Sequence, residues 1–143
     1  MQLSPQKIFI DANVLIDLLN KSNDLHNAAL VLFNDSINNK KVIYCSPTSF
    51  AIVYYFLGKT IKNKVKLNKT VKELFLLFSF TREDNIVMDK VLTSDFSDLE
   101  DSLQYYSALD AKADVIITKN YFDFKASAIP VYHPLHYVNE FII

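Results

Sequence analysis

The chain has 143 residues, half of them hydrophobic and 22% charged, with a net charge of −1. That is the size and balance of one compact domain over residues 1–143, and it excludes a disordered chain or a protein that is basic throughout and coats nucleic acid. A single glycine excludes glycine-rich phosphate loops and turn-dense all-β folds, and a single cysteine, Cys45, excludes an internal disulfide and suits a reducing, cytoplasmic setting.

The first short apolar run, Lys7–Ile10, stops at Asp11 and reads as a buried strand. Asn13 then caps a helix over residues 14–19, with Asp17 on its surface. Asn23 and Asp24 open a second helix, in which Leu25, Ala28, Ala29, Leu32 and Phe33 recur at helical spacing. It ends at Asn38, Asn39 and Lys40. The run Val42–Cys45 is a second strand, with Cys45 as a small buried hydrophobe. Ser46 and Pro47 start a long helix as cap and first residue, and it fades near Gly58. Residues 68–80 form another helix, residues 85–88 a third strand and residues 90–92 a short helix. Ser97 and Glu100 have the spacing of a capping box for a helix reaching about Ala113. Residues 114–118 are the fourth strand, residues 129–132 a short fifth one and residues 135–142 a closing helix.

Helices alternating with short apolar strands predict an α/β/α sandwich around a mostly parallel sheet of four to five strands. No window approaches the roughly 18 apolar residues of a membrane span, so no membrane partner is expected.

In an open parallel sheet, ligands bind beyond the carboxyl ends of the strands. Asp11 and Asn13 stand after the first strand and Ser46 after the second. Thr118, Lys119, Asn120 and Asp123 follow the fourth, and the helix leading into it starts with Asp98, Glu100 and Asp101. Asp98 and Asp101 are three apart and share a helix face. Carboxylates gathered in this way repel one another unless a cation neutralises them, and hard divalent ions such as Mg²⁺ or Mn²⁺ prefer oxygen ligands. Each acid also has an ordinary use: Asp98 and Glu100 in the first turn of a helix are favourable there on charge alone. His26, His133 and His136 lack zinc-ligand spacing. Charge is uneven: residues 59–72 hold six lysines and no acid, whereas residues 83–101 hold seven acids. A solvated helix pair would account for that, and so would a basic lobe that holds RNA.

Three segments carry a family resemblance. Phe9-Ile10-Asp11-Ala12-Asn13 resembles the opening Asp-x-Asn motif of the PIN-domain family. The stretch from Asp98 to Leu109 resembles the helix bearing that family's third acid, and the stretch from Ala113 to Phe124 resembles the strand and acid-bearing turn that follow. The likeness runs in order through nearly the whole chain, to Ile129-Pro130-Val131. It implies a ribonuclease using Mg²⁺ or Mn²⁺, often the toxin of a VapC-type toxin–antitoxin pair, with a small antitoxin protein as partner and a homodimeric state. Carried onto this chain, Asp11 and Asp101 are metal ligands with Asp98 close by, and Asn120 and Asp123 complete the catalytic set. Asn13, Ser46 and Thr118 then face substrate, and Lys59 and Lys62 hold the RNA backbone. One departure stands out: many members carry Glu on the helix after the second strand, and residues 46–55 hold no acid, while Asn120 replaces a common Asp. Two missing carboxylates weaken metal binding, so a PIN-like module that binds RNA or a protein without cleaving is the alternative. A phosphoryl-transfer domain built on Asp11 is a third reading, and position 13, Asn where such a domain needs a second Asp, counts against it.

Overall fold

A computed structural model describes residues 3–124 and 126–143. The strands are β1 (Lys7–Ile10), β2 (Val42–Cys45), β3 (Ser79–Phe80), β4 (Val115–Ile117) and β5 (Val131–Tyr132). They form one sheet in the order β3-β2-β1-β4-β5, and every pairing is parallel. The helices are α1 (Ala12–Leu19), α2 (His26–Asn38), α3 (Pro47–Thr60), α4 (Lys64–Phe75), α5 (Asn85–Leu92), α6 (Leu99–Asp110) and α7 (Pro134–Phe141), with a 3-10 helix over Tyr121–Phe124. The expected α/β sandwich is therefore present, with five parallel strands.

Alternation along the strands sets the two layers. Ile8, Ile10, Val115 and Ile117 pack with Val14, Leu32, Val53 and Tyr137 of α1, α2, α3 and α7. Phe9 and Ile116 face the other way, onto Tyr105 and Ala108 of α6 and onto Phe124. With both faces covered, β1 and β4 are buried almost throughout. Among the described residues no helix is long and apolar enough to cross a membrane.

Several boundaries differ from the sequence reading. Residues 85–88 are not a strand; they begin α5, whose cap Asp84 accepts a hydrogen bond from the Val87 amide. Val87 and Val91 are its buried positions, four residues apart, so the apolar triplet was the first turn of a helical stripe. The third strand is Ser79–Phe80, beside β2. Two residues at a sheet edge carry no alternation, and the apolar residues 76–78 mimic a continuing helix. In turn α4 starts earlier than residue 68, because Asn63 accepts from the Val65 and Lys66 amides. Asp98, not Ser97, caps α6 through the Asp101 amide, and Asp11, not Asn13, occupies the cap position of α1.

Gly58 lies inside α3, which continues to Thr60. A Cβ there would meet only Leu67 Cδ2, at 4.0 Å. Gly58→Ala should therefore stabilise the fold by about 0.5 kcal/mol, through lower unfolded-state entropy and better helix propensity. A melting temperature raised by roughly 2 °C is the expected result.

Candidate metal centre

Parallel packing brings the ends of β1 and β4 side by side, with Ile10 opposite Ile117. The residues that follow meet there. Asp11 is only 5% exposed, and its Oδ2 accepts a hydrogen bond from the Thr118 hydroxyl at 2.8 Å. Thr118 Oγ1 in turn accepts from the Asn120 amide at 3.1 Å. The Asn120 carbonyl accepts from the Asp123 amide at 2.9 Å. Asn13 Oδ1 lies 3.5 Å from the Lys119 amide. A chain of contacts thus runs from Asp11 to the turn that carries Asn120 and Asp123. Burial pushes the Asp11 carboxyl above its ordinary range, opposed by the Thr118 hydroxyl, the Ala12 amide and the charge of Lys119.

The third contribution comes from α6. Asp98 Oδ1 accepts from the Asp101 amide at 3.0 Å, which fixes the first turn. Asp101 has its carboxyl pushed up to about 6, first by burial and then by the negative charges of Asp98, Asp123, Asp11 and Glu100. Glu100 is raised by burial and by Asp11 and Asp98. Acids from β1, α6 and the turn after β4 therefore share one electrostatic neighbourhood, although they are distant in sequence. As the cluster stands, no three of the described acids, histidines or cysteines are placed to hold a metal ion. The cluster's donor set consists of carboxylate oxygens in mutual repulsion, and that suits a hard divalent cation.

Thr118→Val tests the link between the two strand ends. Losing the hydroxyl removes a contact that holds the Asp11 carboxyl down. The Asp11 pKa should rise further in a carboxyl NMR titration, and the protein should lose about 1–2 kcal/mol of stability.

Not every expected residue joins the cluster. Ser46 is fully buried: its hydroxyl caps α3 by accepting the Ser49 amide and donates to Gln104 Oε1 at 3.2 Å. It belongs to the joint between α3 and α6 rather than to a surface that a substrate could touch. Lys59 stands near the end of α3 with its ammonium 4.6 Å from the Tyr55 ring centroid, and Lys62 lies in the turn to α4. Both are exposed.

Three features had no sequence signal. Gln104, one turn beyond Asp101, also accepts from the Ser49 hydroxyl at 3.0 Å and so ties α6 to the start of α3. Glu83 receives the backbone amide and the hydroxyl of Thr48, which brings a carboxylate to the start of the helix that lacks acids of its own. Asp17, expected on the surface, is 1% exposed. It holds the Lys119 ammonium at 2.9 Å and the Asn23 amide at 2.7 Å. Only residues with helical or strand periodicity announce themselves in a sequence; these partners are set by tertiary packing.

The comparisons with known proteins agree with the fold. The ribonuclease VapC1 of Aquifex aeolicus (strain VF5) is 26% identical over 121 residues, covering 82% of this chain and 84% of that protein. In shape, the chain is similar to a protein in the structure of FitAB bound to an IR36 DNA fragment, with a TM-score of 0.68 at 16% identity, over 90% of this chain and 96% of that one. It is also similar to a chain of a toxin–antitoxin complex from Klebsiella pneumoniae, with a TM-score of 0.64 at 19% identity, over 89% and 97% of the two chains. The PIN domain family matches residues 7–121, from the first strand to the start of the turn after the fourth. The chain belongs to the PIN domain family.

Proposed function

We propose that this domain is a metal-dependent RNA endonuclease of the VapC type, acting in the cytoplasm as the toxin of a toxin–antitoxin pair. The observation that carries the reading is the electrostatic neighbourhood that Asp11, Asp98, Asp101 and Asp123 share beyond the carboxyl ends of β1 and β4. The relative named as a ribonuclease supports the chemistry. The structural neighbours solved as toxin–antitoxin assemblies support a small protein partner. Asp11 and Asp101 would hold a Mg²⁺ or Mn²⁺ ion, with Asp98, Asn120 and Asp123 beside it. Such an ion supplies charge neutralisation at a phosphodiester and lowers the pKa of a water. The residues do the remaining work. Thr118 orients Asp11, Asp98 fixes the turn that carries Asp101, and the lysines of residues 59–72 attract the RNA backbone in a salt-dependent way. A homodimer, as the family resemblance implies, is part of the same proposal.

A second reading has its own observation. α3 contributes no acid, and no three of the described acids, histidines or cysteines are placed to hold a metal ion, as expected of a PIN-like module that binds RNA without cleaving it. A mixed RNA pool incubated with Mn²⁺ or with EDTA separates the two. Fragments that appear only with Mn²⁺ support the nuclease; intact RNA with retained binding supports the module.

A further inference from the structure

Tyr121 and Phe122 stand out in the turn that carries the site's last acid. They open the 3-10 helix Tyr121–Phe124 and are 43% and 64% exposed. Their neighbour Phe124 is 2% exposed and packs with Phe96 and Tyr105. One aromatic thus anchors the turn in the core, while two remain exposed. The exposed rings lie against each other, with centroids 4.2 Å apart and planes 31° apart. With Phe124, Ile129, Pro130 and Val131 they line a cleft of about 440 Å³. Asp123 follows them in the same turn, exposed like them, and its charge is felt at Asp101, so one short turn carries both the aromatic pair and an acid of the cluster.

We propose that Tyr121 and Phe122 form a stacking platform for a nucleobase of single-stranded RNA, next to the phosphate held at the acid cluster. The inference rests on the nuclease reading and names a base-binding subsite within it. The two exposed rings and the cleft beside them are mostly apolar, and of the parts of a nucleotide the base is the one that fits an apolar face. Aromatic rings offer every base a π-face. Tyr121 and Phe122 precede Asp123 by two residues and by one, which is within about 4 Å of 3-10 rise. A base seated on the rings can therefore belong to the same chain as a phosphate at the cluster. The platform would bind bases without reading their hydrogen-bonding edges, so it would contribute affinity and position more than sequence choice.

The test uses single-stranded oligouridine carrying one 2-aminopurine, with the full-length protein in EDTA and again in Mn²⁺. Stacking on the rings quenches the fluorophore. Wild type should bind with strong quenching. Phe122→Ala and Tyr121→Ala should each weaken binding about 5- to 100-fold and lose the quenching, with unchanged melting temperatures, while Phe122→Trp should retain it. Wild-type binding without quenching, or equal quenching by the alanine variants, would overturn the platform; Mn²⁺-dependent cleavage of the same RNA would then leave the nuclease reading standing. Absence of RNA binding under both conditions would overturn both. Alanine variants that lose only concentration-dependent self-association would instead assign the rings to contact with a second copy and end the proposal.

Discussion

Replacing Asp101 with Asn should lower RNA cleavage at least about 100-fold, the usual scale for disturbing a metal site, while leaving the metal-free protein more stable at neutral pH. The second half follows from the site's charge. Asp101 has an ordinary pKa of 3.8 and ionises at about 6 in the fold. The fold therefore disfavours its charged form. That penalty is fully present above about pH 6, fades as pH falls through that value and is gone below about 3.8. Metal-free wild type should gain stability between about pH 7 and pH 5, and Asp101→Asn should gain less. Thermal melts across that range in EDTA provide the measurement. If the variant lost activity and also melted lower at every pH, Asp101 would be a structural residue instead.

The largest stability effect is expected at Lys119. Asp17 is almost completely buried, and its Oδ2 has no hydrogen-bond partner among the described residues apart from its ion pair with the Lys119 ammonium. Lys119→Ala leaves that carboxylate buried and unpaired, at a cost of about 3 kcal/mol or more. Asp17→Asn combined with Lys119→Met removes both charges, and most of the loss should be recovered. Urea denaturation measures both. The pair also joins α1 to the turn after β4, so the single variant should displace Thr118, Asn120 and Asp123 relative to Asp11, and cleavage should fall along with stability. A Lys119→Ala protein as stable as wild type would show that water or another cation replaces the ammonium.

Which parts of this were legible in the sequence follows from period and punctuation. β1, β2 and β4 are short apolar runs that stop at a polar residue, and at β1 and β4 that signal also pointed to the candidate site residues Asp11 and Thr118. α6 was legible from its capping-box spacing, although its cap moved by one residue to Asp98. β3 was not, because two residues have no period, and α5 was mistaken for a strand, because one apolar turn fits either structure. Asp17 looked like a surface acid, since its partners lie six residues away at Asn23 and far along the chain at Lys119, after β4. Ser46 was recognised as a cap, but its burial against Gln104 depends on how α6 crosses α3. The missing acid of α3 was visible in the sequence. The Glu83 carboxylate that arrives at Thr48 from another turn was not.

The central claim is that the acids at the sheet edge are poised to take up a divalent cation, and proton release on metal binding tests it most directly. Near pH 6 Asp101 is about half protonated, so a cation must displace part of a proton to bind there. Calorimetric titration of Mn²⁺ in two buffers of different ionisation heat, at about pH 6, should show binding with release of a fraction of a proton by wild type and none by Asp101→Asn. Wild type that takes up no Mn²⁺, or takes it up as Asp101→Asn does, would contradict the account.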